Sequence, residues 1–189
     1  FAEWPQMLAN NGYMVLQPQY RMSVGWGQDH FDAAYGEHGG KMQDDKDDGA
    51  LYLVEQGLVD RNRMAMFGWS YGGYAALVAA SRDPNIYQCV IAGAAVADAE
   101  KQYLGRRNPD LKALDEWSKR RGTIGINPIN EVTKVNIPVL MVHGEDDRRV
   151  MYYHLKDYQK KFEAAGKVGE FVTLENADHF YNTLMYTHQ

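Results

Sequence analysis

The sequence is poor in cysteine and lacks any long apolar run. Cys89 is the single cysteine among 189 residues; it cannot form a disulfide within the chain, and we expect it to be a small buried hydrophobe. No apolar stretch approaches the ~18 residues that cross a bilayer, and no secretory signal peptide is visible. The formal net charge of −5 lacks the basic surplus of nucleic-acid-binding proteins. Neither a membrane nor a nucleic acid is therefore expected as a partner, while the compartment and homo-oligomerisation stay open.

Motifs for metals and phosphates are also missing. No His/Cys cluster has the spacing of a zinc site, and no Walker-type glycine loop occurs. The acidic run that begins at Asp44 has the spacing of a calcium-binding EF-hand loop, but Lys46 stands where its third position needs an oxygen ligand. We therefore expect neither a metal nor an organic cofactor.

Short apolar runs alternate with longer segments of helical periodicity. Such continuous apolar runs are typical of strands buried on both faces of a parallel sheet. The alternation predicts an α/β domain in which helices cover both faces of a mostly parallel sheet. The predicted strands are Tyr13–Gln17, Met64–Phe67, Cys89–Gly93, Val139–Gly144 and Glu170–Leu174.

Two segments have clear helical spacing. Residues 152–166 place apolar side chains on one face and end at Gly166, a residue that commonly stops helices. The pattern puts His154 on the polar face, where we expect it to meet solvent. Residues 47–58 predict a second helix with acidic residues in its first turn, and the polar segment 101–135 is expected to be an irregular excursion that walls a site.

The segment GWSYG, residues 68–72, lies between an apolar run and a run of small residues. A G-x-S-x-G sequence between a strand and a helix is typical of the nucleophile elbow of hydrolases. The turn is so tight that we expect Gly68 and Gly72 to approach each other without room for side chains. This context predicts that Ser70 is a nucleophile, with the Tyr71 N–H at the helix start as an oxyanion donor.

A nucleophilic serine needs a base and an acid that orients the base. On this fold the chain order is serine, acid, histidine, and functional groups follow the carboxyl ends of strands. The Val139–Gly144 run is followed by Glu145, Asp146 and Asp147. From order and position alone, each of these three carboxylates is a candidate for the acid.

His179 is the histidine that fits the position of the base. It comes just after the last predicted strand, downstream of the candidate acids. His143 ends a strand and is expected to be a packed structural residue, whereas His30 and His38 precede the elbow and His188 lies past the start of another helix.

The segments GWSYGGY and PVLMVHGEDDRRV, together with the later His179, resemble the catalytic domain of the prolyl oligopeptidase family of serine peptidases. That family includes dipeptidyl peptidases and acylaminoacyl peptidases. The resemblance covers nearly the whole chain, because GYMVLQPQYRMSVGWG and GGKMQDDKDDGALYLVEQGLVDRNRMAM are also similar to the family. It implies an α/β-hydrolase fold, a peptide substrate and catalysis without a cofactor.

The resemblance also assigns roles to individual residues. It selects Asp147 as the acid, because this is the fifth residue of the segment that begins with His-Gly. It implies that Arg149 contacts a substrate carbonyl, and that Val150 and Tyr71 line the pocket for the residue before the scissile bond. DRRV is closer to acylaminoacyl peptidases and GWSYGG to dipeptidyl peptidases, so the subfamily stays open.

The chain departs from the family at its N-terminal side. The family's strand that ends in a His-Gly-Gly loop and completes the oxyanion hole is missing, as are two earlier edge strands and the β-propeller. Residues 1–189 are therefore expected to be a partial α/β-hydrolase catalytic domain, with an incomplete sheet, from a longer polypeptide.

These features predict a serine peptidase that cleaves oligopeptides through a Ser70-Asp147-His179 triad and an acyl-enzyme. A carboxylesterase of the same fold would carry the same three residues. A non-catalytic fragment would keep them but lack a complete oxyanion hole.

Overall fold

A computed structural model describes residues 3–104 and 125–181 of the chain. The helices are α1 (Glu3–Asn10), α2 (Gln28–Asp32), α3 (Lys41–Glu55), α4 (Tyr71–Ala80), α5 (Ala99–Leu104) and α6 (Tyr153–Ala164). The strands are β1 (Ala65–Trp69), β2 (Cys89–Gly93), β3 (Val139–Gly144) and β4 (Gly169–Leu174). Short 3₁₀ helices span Arg61–Arg63, Pro128–Asn130 and Val132–Lys134.

The four described strands form one parallel sheet in the order β1-β2-β3-β4. Their carboxyl ends therefore meet at one edge, where Trp69 is in register with Gly93 and Gly144 with Leu174. Loops that leave this edge bring together residues far apart in sequence.

Four of the five predicted strands are confirmed, with bounds within two residues of those expected. Continuous apolar runs predict these strands well, and the two central strands β2 and β3 carry most of the buried residues of the sheet. The helix predicted over residues 152–166 is confirmed as α6, and Gly166 has the positive φ of +67° that stops it. The helix predicted over 47–58 is α3, which begins earlier, at Lys41. Cys89 is half-buried at the start of β2, less than expected.

The predicted strand at Tyr13–Gln17 is wrong. The segment belongs to no sheet, and Tyr13 and Met14 are 65% and 58% exposed. An apolar run becomes a strand only where a neighbour supplies ladder hydrogen bonds, and the described strand β1 pairs with β2 alone.

The polar segment 101–135 was expected to be irregular. Its described parts contain the end of α5 and two 3₁₀ helices. Residues 105–124 lie outside the described part of the chain.

Helix α4 is the central helix of the core. Its residues from Gly73 to Ala80 are all buried, and Gly73 allows close packing because a Cβ there would lie 2.5 Å from the carbonyl oxygen of Gly93. The main core also contains Val90, Met141, Tyr158 and Phe162 from the sheet and α6. This packing fixes the start of α4 against the carboxyl end of β2. None of the described helices is long and apolar enough for a membrane span.

Candidate active site

Ser70 lies at the junction of β1 and α4 with a strained backbone. Its φ of +58° and ψ of −114° fall in a region that residues with a side chain rarely occupy. The turn is held by two hydrogen bonds: the Ser70 N–H donates to the Gly93 carbonyl at 2.9 Å, and the Tyr74 N–H donates to the Ser70 carbonyl at 3.0 Å. The strained turn sets Ser70 at the carboxyl edge of the sheet.

The two glycines that flank the elbow have different roles. A Cβ at Gly68 would lie 2.6 Å from Cα of Gly72, and closer still to the Gly72 carbonyl group. A Cβ at Gly72 would meet no atom within 4 Å outside its own helix and chain neighbours. The expectation that both positions exclude a side chain is therefore wrong for Gly72, because the two Cα–Cβ directions differ and only that of Gly68 points across the turn.

Asp147 occupies the turn after β3 and is 2% exposed. Its Oδ1 accepts hydrogen bonds from the backbone N–H groups of Arg149 at 2.8 Å and Val150 at 2.9 Å. Its Oδ2 accepts from Nδ1 of His179 at 2.6 Å. Glu145 and Asp146, the other candidate acids, are exposed.

The pKa of Asp147 reflects two opposing effects. Burial alone would raise it, but hydrogen bonds from His143, His179 and the backbone of Val150 and Arg149 outweigh burial and lower the pKa to about 2. The carboxylate is therefore ionised at neutral pH, and it accepts the hydrogen bond from Nδ1–H of His179.

His179 lies in the loop after β4 and is 6% exposed. Because its Nδ1–H donates to the ionised Asp147, its Nε2 is the basic nitrogen. The loop crosses the end of β3 closely: a Cβ at Gly144 would lie 2.8 Å from the carbonyl oxygen of Asp178. The Asp146 N–H also donates to the Ala177 carbonyl at 3.0 Å. The two loops that carry Asp147 and His179 are thus joined through their backbones.

His143 packs beneath this pair and is fully buried, as predicted. Its Nε2 lies 2.7 Å from the Val150 carbonyl oxygen and 3.4 Å from Oδ2 of Asp147. Because a carbonyl oxygen can only accept a hydrogen bond, Nε2 of His143 carries the proton. The same N–H lies beside the Asp147 carboxylate and stabilises its negative charge. His143 thus supports the turn that presents Asp147.

A cavity of about 220 Å³ opens above these residues. All of the predicted catalytic and binding residues except Asp147 line it: Ser70, Tyr71, Arg149, Val150 and His179. Asp147 is separated from the cavity by His179, to which it is hydrogen-bonded. In residues 3–104 and 125–181, no cluster of three or more His, Cys, Asp or Glu side chains is suited to a metal ion.

Sequence reasoning missed several residues that line the same cavity. They are His38, Tyr74, Val96, Ala99 and Gln102. Tyr74 lies one helical turn after Ser70, a spacing that could have indicated its position. His38 and Gln102 come from segments distant in sequence, for which the sequence carried no signal.

The imidazole of His38 is 8% exposed, and its Nδ1 has no hydrogen-bond partner in the described structure. Burial, and then the charge of Lys46, lower its pKa. Lys46 is itself buried, with Nζ 3.5 Å from the centroid of the Tyr20 ring, and burial lowers its pKa to about 8. His38 therefore presents a neutral imidazole to the cavity at pH 7.

His154 is fully buried, which contradicts the expectation that it faces solvent. The Asp98 N–H donates to its Nδ1 at 3.1 Å, its Nε2–H donates to Oε1 of Gln102 at 3.0 Å, and the Gln102 amide donates to the Arg149 carbonyl at 2.9 Å. The helix itself is present, but α5 and its preceding loop cover the face that the sequence pattern assigns to solvent. His154 thereby fixes Gln102 in the cavity wall.

The model of the prolyl oligopeptidase family matches residues 1–188, and the chain belongs to this family. Among curated proteins, it is 27% identical to dipeptidyl aminopeptidase BIII of Pseudoxanthomonas mexicana, over 95% of this chain and 27% of that protein. It is also 27% identical to the acylamino-acid-releasing enzyme of Mus musculus, over 98% of this chain and 28% of that enzyme. The chain thus spans about a quarter of the length of these relatives.

Solved structures show the same fold. A puromycin-hydrolyzing peptidase of Mycobacterium tuberculosis matches with a TM-score of 0.76 at 18% identity, over 87% of this chain and 26% of that one. Porphyromonas gingivalis dipeptidyl peptidase 4 matches with a TM-score of 0.76 at 22% identity, over 95% and 25%. The predicted α/β-hydrolase architecture is confirmed.

Proposed function

We propose that the chain is the catalytic part of a serine peptidase in which Ser70, His179 and Asp147 act as nucleophile, base and orienting acid. The observation that carries the proposal is the 2.6 Å hydrogen bond from His179 Nδ1 to the buried Asp147, with His179 and Ser70 on one cavity. A serine that served only to form the turn would not require a histidine, oriented by a buried carboxylate, on the same cavity.

In the first step, Ser70 Oγ attacks the carbonyl carbon of the scissile peptide bond and its proton passes to Nε2 of His179. The resulting imidazolium is stabilised by Asp147, which stays ionised. The negative oxygen of the tetrahedral intermediate lies near the Tyr71 N–H, where the positive end of the α4 dipole favours charge.

The imidazolium then donates its proton to the leaving amine, the C–N bond breaks, and an acyl group remains on Ser70. A water molecule, deprotonated by His179, attacks this ester and releases the carboxylic acid while the proton returns to Ser70. No residue changes its net protonation over the cycle, and no redox or metal step is required.

Three further residues are assigned to substrate binding. Val150 is 3% exposed and packs with Tyr74 and Val96, so together with Tyr71 it forms an apolar wall for the residue before the scissile bond. The side chain of Arg149 is exposed at the rim, with its guanidinium 5.4 Å from the Phe180 ring centroid. A guanidinium at this place can donate to a substrate carbonyl.

We further propose that the chain works within a longer polypeptide. Its relatives are about four times as long, and a second oxyanion donor would come from an upstream loop absent in residues 1–189. A β-propeller in the remaining part would restrict the site to oligopeptides.

The experiment is fluorophosphonate labelling of the full chain, followed by mass-spectrometric mapping of the labelled residue. The probe should label Ser70 and fail in Ser70→Ala and His179→Ala. Ser81→Ala is the matched control, because Ser81 ends the same helix and its hydroxyl donates only to the local Val78 carbonyl.

Labelling that persists in His179→Ala would overturn the triad. In wild type, turnover of peptide amides as well as esters supports a peptidase, because amide cleavage needs the proton that His179 gives to the amine. Hydrolysis of esters alone would make the protein a carboxylesterase.

A further inference from the structure

The side chain of Trp69, the residue before Ser70, makes a contact that the proposed chemistry does not use. Its Nε1–H donates to the backbone carbonyl oxygen of His179 at 2.7 Å, across 110 residues of sequence. Trp69 is not among the residues that line the cavity. Its indole therefore contacts the backbone of His179 without forming part of the cavity wall.

The indole has a seat that fixes its orientation. Gly93 leaves the space for it, because a Cβ there would lie 2.9 Å from Cδ2 of Trp69 and overlap Cε3 and Cζ3 of the same ring. Tyr181 packs edge-on against the indole, with ring centroids 5.1 Å apart and an interplanar angle of 86°. Because Gly93 and Tyr181 contact the indole of Trp69 on two sides, its Nε1–H is fixed in the direction of the His179 carbonyl oxygen.

We propose that Trp69 is a positioning residue for His179; the inference rests on the role of His179 as base in the proposed function. The imidazole is held at Nδ1 by Asp147, while Trp69 holds the backbone of the same residue. Because Trp69 is bonded directly to Ser70, the contact fixes the base relative to the nucleophile itself. Without it, the loop after β4 would keep its link to Asp147 but lose its hydrogen bond to the elbow.

The sharpest test removes only the N–H. Replacement of Trp69 by its benzothienyl analogue, introduced by nonsense suppression, keeps the shape of the ring and exchanges the N–H for sulfur. Trp69→Phe is the simpler companion variant. Trp4→Phe is the matched control: Trp4 Nε1 donates to the Tyr181 hydroxyl at 3.1 Å, so it removes an indole N–H from the same aromatic cluster without touching His179.

The readouts are fluorophosphonate labelling kinetics on the full chain and the downfield proton resonance of the His179–Asp147 hydrogen bond. Loss of one hydrogen bond should lower the maximal labelling rate roughly fivefold to tenfold, while the probe concentration for half-maximal rate stays unchanged. The downfield proton should shift or broaden in the analogue variant and stay unchanged in Trp4→Phe. A merely structural role would move the melting temperature and not this resonance.

Wild-type labelling rates and an unchanged resonance in the analogue variant would overturn the inference, as would equal losses in Trp4→Phe. The analogue decides the matter where Trp69→Phe fails to fold. The two proposals fail separately: labelling that survives His179→Ala removes the proposed function. Labelling lost in His179→Ala but unaffected by the Trp69 analogue removes only the positioning role.

Discussion

Gly144 and Ala177 approach each other so closely that residue 144 has no room for a side chain. A methyl group there would overlap the Ala177 carbonyl group and lie 2.8 Å from the next carbonyl oxygen, that of Asp178. Since Gly144 precedes Asp147 by three residues and Ala177 precedes His179 by two, this crossing sets the spacing of the proposed acid and base.

We expect Gly144→Ala to push the two loops apart. The variant should lose about 1–3 kcal/mol of unfolding free energy from overpacking and about 10²-fold in labelling rate, because catalysis is sensitive to displacements near 1 Å. Chemical denaturation and fluorophosphonate kinetics measure the two effects. Gly49→Ala is the control, since its methyl would meet only the flexible Cδ2 of Leu16 at 3.2 Å; equal behaviour of the two variants would contradict the prediction.

Gly68→Ala and Gly72→Ala should differ sharply in stability. The first places a methyl 2.6 Å from the Gly72 Cα and should prevent the elbow from closing. The second adds a methyl in open space on α4 and should keep or raise the unfolding free energy by about 0.5–1 kcal/mol, the usual effect of Ala over Gly in a helix. Thermal melts of both variants suffice, and destabilisation of Gly72→Ala as severe as that of Gly68→Ala would refute the asymmetry.

Asp147 should contribute to stability at neutral pH and lose that contribution in acid. Its folded pKa of about 2 lies below the unfolded value near 4, so the folded state binds the proton more weakly. Stability from this group, roughly 2 kcal/mol, is present above pH 4 and falls as the pH drops toward 2. Other carboxyl groups, such as Asp45 with its lowered pKa, contribute equally to both proteins, so denaturation between pH 2 and 5 should give a steeper fall of stability in wild type than in Asp147→Asn.

Asp147→Asn should also lower turnover by about 10⁴-fold, the effect of the same change in a serine-protease triad. Unaltered turnover in a folded Asp147→Asn sample would assign the acid elsewhere.

His154 should make the protein less stable as the pH falls from about 6.5 to about 4. Burial is the main cause that lowers its pKa to about 4, and the unfolded chain binds the proton first, so protonation favours unfolding across that window. His154→Leu should flatten this part of the stability curve, while His38 contributes in both proteins and cancels. Equal slopes in wild type and variant, measured by urea denaturation at pH 4.5 to 7, would contradict the assignment.

The sequence predicted the strands better than it predicted which surfaces are covered by other parts of the chain. Val139–Gly144 was predicted with the observed bounds because its apolar run coincides with a strand that has a partner on each side, β2 and β4. Tyr13–Gln17 is also a continuous apolar run, yet a strand needs a partner, which its own residues do not reveal. His154 was misplaced for a similar reason, since helical periodicity does not show that α5 covers its polar face.

The candidate site was predictable from sequence only for residues whose position is fixed by the order of motifs and strands along the chain. Ser70 and His179 follow from a motif and its position after strands, while the choice of Asp147 over Asp146 depended on the resemblance. No sequence motif predicts the contacts that Trp69, His143 and Gln102 make. Trp69 and Gln102 bind residues far away in sequence, and the partner of His143 belongs to no recognised pattern. These contacts follow from the closeness of the loops at one edge of the sheet, which only the folded chain shows.

The position of β4 at the edge of the described sheet has a consequence for how the protein loses activity. Among the described strands, β4 pairs with β3 alone, and its residues are all exposed or half-buried. Strands of this kind open at lower free energy than the centre of a sheet, and β4 leads directly to His179. Inactivation by mild denaturant should therefore be a local event that precedes loss of the core, so that a population can be almost fully native by circular dichroism and already inert.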